Sequence, residues 1–97
     1  MIMHNLRLSE KVLQKLDEKH QVTADEIKQC FINRTKGFLF DDRLEHRTNP
    51  PTQWFIAETD KGRQLKIVFI TLFNGMHEIK TAYTPNSDEI KIYETIA

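Results

Sequence analysis

Between Trp54 and Tyr83 the chain repeats one pattern three times. The runs "WFIAET" (54–59), "RQLKIVFITLF" (63–73) and "MHEIKTAY" (76–83) are rich in β-branched and aromatic residues, and only "DKG" and "NG" separate them. Such side chains pack well on a pleated, half-buried surface, so each run reads as a strand. Asn74 and Gly75 both accept positive φ, which predicts a two-residue hairpin; "DKG" fits a three-residue loop with Gly62 left-handed. Turns this short join only antiparallel neighbours, so the segment is a three-stranded meander. "FLF" at 38–40 is a candidate fourth strand.

The turns also set the register. A two-residue "NG" loop pairs Phe73 with Met76 and, counted outward, Val68 with Thr81 and Lys66 with Tyr83; the "DKG" loop pairs Ala57 with Leu65 and Ile56 with Lys66. By alternation one face gathers Phe55, Ala57, Leu65, Ile67, Phe69 and Ala82, the core face. The other gathers Trp54, Ile56, Glu58, Gln64, Lys66, Val68, Ile70, Ile79, Thr81 and Tyr83. That mixture of apolar bodies and chargeable groups suits a packed third helix, a bound partner or a site.

Helical signals flank the strands. Ser9 caps a stripe of Val12, Leu13 and Leu16 that ends near Lys19 and His20. Thr23 and Glu26 form a capping-box pattern ahead of Ile27, Cys30 and Phe31. The link between these two helices is too short for anything but a tight turn, so they pack as a hairpin. Asn86 and Glu89 form a second capping box before Ile90, Tyr93 and Ile96. The expected architecture is α+β, a single domain spanning 1–97: two N-terminal helices on an antiparallel sheet of three to four strands, plus a C-terminal helix.

At 97 residues the chain suits one core without staples. Fourteen basic residues balance fourteen acidic ones, so no overall field draws the protein to nucleic acid or an anionic membrane. The single cysteine, Cys30, makes no internal disulfide and sits on an apolar stripe, as an inert buried thiol does. With no membrane-length apolar run, no zinc-type spacing, and no Walker or Rossmann loop, the expectation is a cytoplasmic protein without metal or cofactor. His4, His20 and His77 lack ligand partners and read as surface or local capping groups.

Chemistry concentrates in "DDRLEHRTNPPTQWF" (41–55). Glu45, His46 and Arg47, joined in space by Arg63, Lys66, Lys80 and Tyr83, are the residue types that metal-free phosphodiester cleavage uses. A carboxylate or imidazole deprotonates a ribose 2′-hydroxyl, cations balance charge on the phosphate, and tyrosine protonates the leaving oxygen. Lys66 and Lys80 are candidate substrate contacts, and Trp54 is a candidate base-stacking ring or a packing residue. With 29% of residues charged, chance proximity on a small surface is the plainer explanation. Pro50 and Pro51 donate no ladder hydrogen bond and mark where the strand begins. Glu45 and Arg47 share a side if "LEHR" is extended.

The element order, with "KHQVTADEIKQCF", "DDRLEHR", "GRQLKIVF", "IKTAY" and "DEIKIYE", resembles the RelE/ParE-like superfamily and within it the BrnT-like toxins. "PPTQWFIAET" makes the chain more similar still to short bacterial proteins labelled ADP-ribosyl-(dinitrogen reductase) hydrolase. The BrnT-like resemblance implies a cytoplasmic endoribonuclease of a type II toxin–antitoxin pair, inhibited by a cognate antitoxin protein. It carries roles to Glu45, Arg47, Arg63 and position 83, where Tyr83 replaces the usual arginine. A homodimer stays open, as do two other functions: a non-catalytic protein-interaction module of the same fold, and an enzyme acting on ADP-ribose linkages.

Overall fold

The computed structural model describes residues 5–41 and 49–97. In chain order the elements are β1 (Leu6–Arg7), α1 (Glu10–His20), α2 (Ala24–Asn33), β2 (Leu39–Phe40), β3 (Thr52–Glu58), β4 (Gln64–Thr71), β5 (His77–Tyr83) and α3 (Ser87–Ile96). The chain is α+β, and its sheet runs β1-β5-β4-β3-β2. No helix among the described residues is long and apolar enough to cross a membrane.

The sheet corrects the expected strand count and direction. β3, β4 and β5 form the antiparallel meander, but β1 joins β5 in parallel and β2 joins β3, giving a mixed sheet of five strands. β2 is the fourth strand expected at "FLF"; the strand without a sequence signal is β1, two residues long and too short to leave any periodicity.

Each helix start among the described residues follows its capping residue. Ser9 accepts from the Val12 amide, and Thr23–Glu26 and Asn86–Glu89 close reciprocal capping boxes. Helix α1 ends on Gln21, whose φ of 50° is left-handed although it is not glycine.

The first hairpin matches the sequence register, with Ala57 opposite Leu65 and Ile56 opposite Lys66. Its loop closes through Thr59 N–H to Arg63 O and Gly62 N–H to Thr59 O, with Gly62 at φ 84°. The second hairpin copies this geometry rather than forming the expected two-residue turn. Leu72 N–H reaches Met76 O, Gly75 N–H reaches Leu72 O, and Gly75 sits at φ 86°. Phe73 therefore lies in the loop, fully exposed, and does not pair with Met76.

The extra loop residue is compensated further along. Phe69 pairs with Ile79 but Val68 pairs with Thr81, so Lys80 is a β-bulge and the predicted Val68–Thr81 and Lys66–Tyr83 pairs survive. The bulge moves Ile79 to the core face beside Phe69, where it is buried, and not to the opposite face as alternation alone predicts.

Helices α1 and α2 cover the core face. Phe31 of α2 meets Phe55 edge-on at 4.7 Å and Phe69 at 5.6 Å, while the Cys30 thiol donates to Ala57 O at 3.7 Å. Burial pushes the Cys30 thiol up to about 12, with Glu26 and Asp60 adding to it, so the group stays an unreactive thiol. The opposite face receives α3, whose Tyr93 ring packs against Trp54 at 5.7 Å. The mixed face is thus the floor beneath a helix.

Candidate functional site

Under the start of α3 the two residues opposed by the meander register meet a third. Lys66 Nζ lies 2.5 Å from Glu89 Oε2, and the Tyr83 hydroxyl donates to the same oxygen at 3.0 Å. The other carboxylate oxygen, Oε1, accepts from the Asn86 amide at 2.9 Å to close the capping box. One side chain therefore both starts a helix and ties it to the sheet. The Lys66 ammonium also stands over the Trp54 ring at 4.5 Å, a cation–π contact strengthened by its 8% exposure.

Burial raises the Glu89 carboxyl, but hydrogen bonds from Lys66, the Asn86 amide and Tyr83 outweigh it and leave the group below the ordinary carboxylate value. The cluster thus joins an amino group and a phenol on one carboxylate oxygen. It can move protons and support developing negative charge, provided Glu89 yields Lys66 to a substrate.

A cavity of about 340 Å³ opens onto this cluster, with Lys66, Glu89 and Trp54 inside it and Leu39, Phe40 and Ile92 on its walls. Asp41 lines the same cavity. The charged stretch from Asp41 onward therefore begins at the cavity, whereas Glu45, His46 and Arg47 lie outside the described residues. A larger concavity of about 640 Å³ lies elsewhere, between the end of β3, the segment after α2, and α3. Volume does not choose between them: Lys66 and Glu89 line the smaller, which Tyr83 reaches only through its hydrogen bond to Glu89, and Glu58, Asp60 and Glu94 line the larger.

The other sequence candidates are placed differently. Arg63 turns to the helix hairpin: Nη2 donates to His20 O at 2.8 Å, and Nη1 donates to Gln21 O at 2.7 Å and pairs with Glu26 Oε2 at 3.1 Å. Its fork caps the last carbonyls of α1 and binds the capping box of α2, so these groups, and not the Lys66 cluster, hold its guanidinium. Burial raises the Glu26 carboxyl, but the Thr23 amide and Arg63 more than reverse this and hold it below its ordinary value. Lys80, on the bulge, is half exposed and pairs with Glu78 at 3.3 Å, away from Lys66. Of the described candidates, Lys66, Tyr83 and Trp54 are brought together, and Arg63 and Lys80 are not among them.

One participant, Glu89, escaped sequence reasoning, as did the setting of His77 on the core face. Glu89 was legible only as a capping residue, and its second role depends on α3 crossing the sheet above Lys66. His77, expected at the surface, is half-buried: its ring stacks on Phe31 at 5.7 Å, meets Phe69 edge-on at 5.0 Å, and Nδ1 lies 2.9 Å from Thr71 Oγ1. The Gln53 amide donates to the same hydroxyl at 2.8 Å. The available signal was His77's place at the start of a strand on the side of Thr71 and Phe69, obscured by the miscounted turn. His20, the other described histidine, lies against the Tyr83 ring at 5.8 Å.

Among the described residues no three His, Cys, Asp or Glu side chains converge as metal ligands. No family model, no curated protein and no solved structure matches this chain.

Proposed function

We propose that this chain is a toxin of RelE/BrnT-like type that cleaves RNA at the cavity beneath α3, with a cognate antitoxin protein as its inhibitor. One observation carries the reading: Asp41, at the head of the charged stretch, lines the same cavity as Lys66, Trp54 and Glu89. In the reaction, Glu45 or His46 removes the proton from a ribose 2′-hydroxyl, whose oxygen attacks the adjacent phosphorus. Lys66 and Arg47 balance the charge on the phosphorane. Tyr83 gives its proton to the departing 5′ oxygen, leaving a 2′,3′-cyclic phosphate and a 5′-hydroxyl. Glu89 positions Lys66 and Tyr83, and the Trp54 ring forms the cavity wall beside the substrate.

A second reading, a non-catalytic module that binds a protein partner, is favoured by a separate observation. Lys66, Tyr83 and Glu89 satisfy one another, while exposed Phe40, Ile92 and Ile96 cluster at the cavity rim. Expression in growing bacteria separates the two. The ribonuclease predicts growth arrest with loss of cellular RNA, relieved by Arg47→Ala and by Tyr83→Phe. Unimpaired growth and intact RNA, with the protein soluble and folded, would reject it in favour of the binding module.

A further inference from the structure

The larger cavity lies on an interrupted strand edge. Asp41 N–H donates to Thr52 O at 2.8 Å, Asn33 Nδ2 donates to Glu58 O at 3.0 Å, and Thr59 N–H donates inward to Arg63 O at 2.9 Å. By the alternation of an antiparallel ladder, even-numbered residues of β3 therefore point their backbone groups outward, towards β2. β2 meets β3 only at Leu39–Trp54 and Phe40–Gln53. Continued back by the same register, Gly37 would pair with Ile56, but it does not. The Tyr93 hydroxyl donates to Gly37 O at 2.7 Å, and the Ile56 N–H points to that same hydroxyl, which stands between the two segments as a wedge.

Beyond the wedge, Ile56 C=O and Glu58 N–H face the 640 Å³ cavity, and no group among the described residues takes either of them. An acceptor and a donor two residues apart on an extended edge fit one residue of an incoming chain. Its N–H reaches the first and its C=O the second, as in a parallel ladder. The floor beside this edge is apolar, formed by Ile56, Ile90 and Tyr93. The rim carries three carboxylates, Glu58, Asp60 and Glu94, against one ammonium, Lys36, whose Nζ already donates to Glu94 O at 3.2 Å. Asp60 accepts from Asn33, whereas Glu58 and Glu94 carboxylates have no partner among the described residues.

We propose that this edge binds an extended peptide segment of a partner protein in which basic and apolar residues alternate. Side chains of the added strand alternate between the two faces, so its lysine or arginine side chains lie on the α3 side with Glu58 and Glu94 while its apolar side chains turn to the other side, beside Ala57, and its backbone bridges Ile56 and Glu58. The slot is separate from the Lys66 cavity and stands or falls independently of RNA cleavage.

The test uses ¹⁵N-labelled full-length protein and two seven-residue peptides, one alternating valine with lysine and the other valine with glutamate. The lysine peptide is expected to move the Ala57 and Glu58 amide resonances and to slow hydrogen exchange at Glu58 N–H. The glutamate peptide, at the same concentration, should leave them in place. The double variant Glu58→Gln/Glu94→Gln, at two exposed positions, should bind the lysine peptide roughly fivefold more weakly. The proposal is overturned if neither peptide moves the Glu58 amide at millimolar concentration, if both move it equally, if the shifts fall elsewhere, or if the double variant binds as tightly as the parent.

Discussion

Lys66 and Glu89, 23 positions apart in sequence, form an ion pair of 2.5 Å across the seam between β4 and α3, with both side chains largely removed from water. A charge in such a place is tolerable only with its partner. Glu89→Gln keeps a capping side chain for α3 but leaves the ammonium nearly buried and unpaired, so it should destabilise the protein by about 3 kcal/mol. Lys66→Met together with Glu89→Gln removes both charges and should recover more than half of that loss. Urea denaturation of the single and double variants measures both, and a Glu89→Gln protein as stable as the parent would contradict the buried pair.

Arg63 makes the opposite kind of contact from the one its "GR" setting suggests. Because its guanidinium holds the carbonyls of His20 and Gln21 as well as Glu26, Arg63→Ala should lower stability by about 2 kcal/mol. Arg63→Lys should recover less than half, since an ammonium lacks the planar fork. Any RNA cleavage, corrected for the folded fraction, should be unchanged in both. A folded Arg63→Ala protein that loses cleavage would return Arg63 to the site.

His77 gives the fold a pH dependence whose sign is set by burial. Burial, and after it the charge of Arg34, hold the imidazole below its ordinary value of 6.5. The folded state therefore binds this proton less readily than the unfolded chain. The associated stability is fully present above about pH 6.5 and is lost as pH falls through the lower folded value. The urea midpoint of the parent should fall more steeply between about pH 7.5 and about pH 5 than that of His77→Phe. Equal slopes would show that the ring titrates as if in water.

Much of this arrangement was legible in the sequence, and the failures have physical causes. Capping boxes and helical stripes located the three helices among the described residues, because those signals are local and reciprocal. The Lys66–Tyr83 pairing was foreseen from a two-residue turn, although the loop has three residues, because the bulge at Lys80 restores the count. Nothing in the local sequence announces a bulge, so Ile79 was assigned to the wrong face. β1 is held by pairing with its neighbour rather than by any pattern of its own. Arg63 and Glu89 acquire their partners only when helices distant in sequence are laid on the sheet, which periodicity cannot convey.

The proposed cleavage of RNA rests on Lys66 and on Tyr83, whose hydroxyl is tied to Glu89 beneath α3. The direct measurement is cleavage of a defined single-stranded RNA by the purified protein and by Tyr83→Phe, which removes one hydroxyl and keeps the ring. The parent should leave 2′,3′-cyclic phosphate ends, and the variant should cleave at a rate roughly 100-fold lower, with both proteins folded. Intact RNA with the folded parent, or cleavage by Tyr83→Phe at the parent's rate, would contradict it.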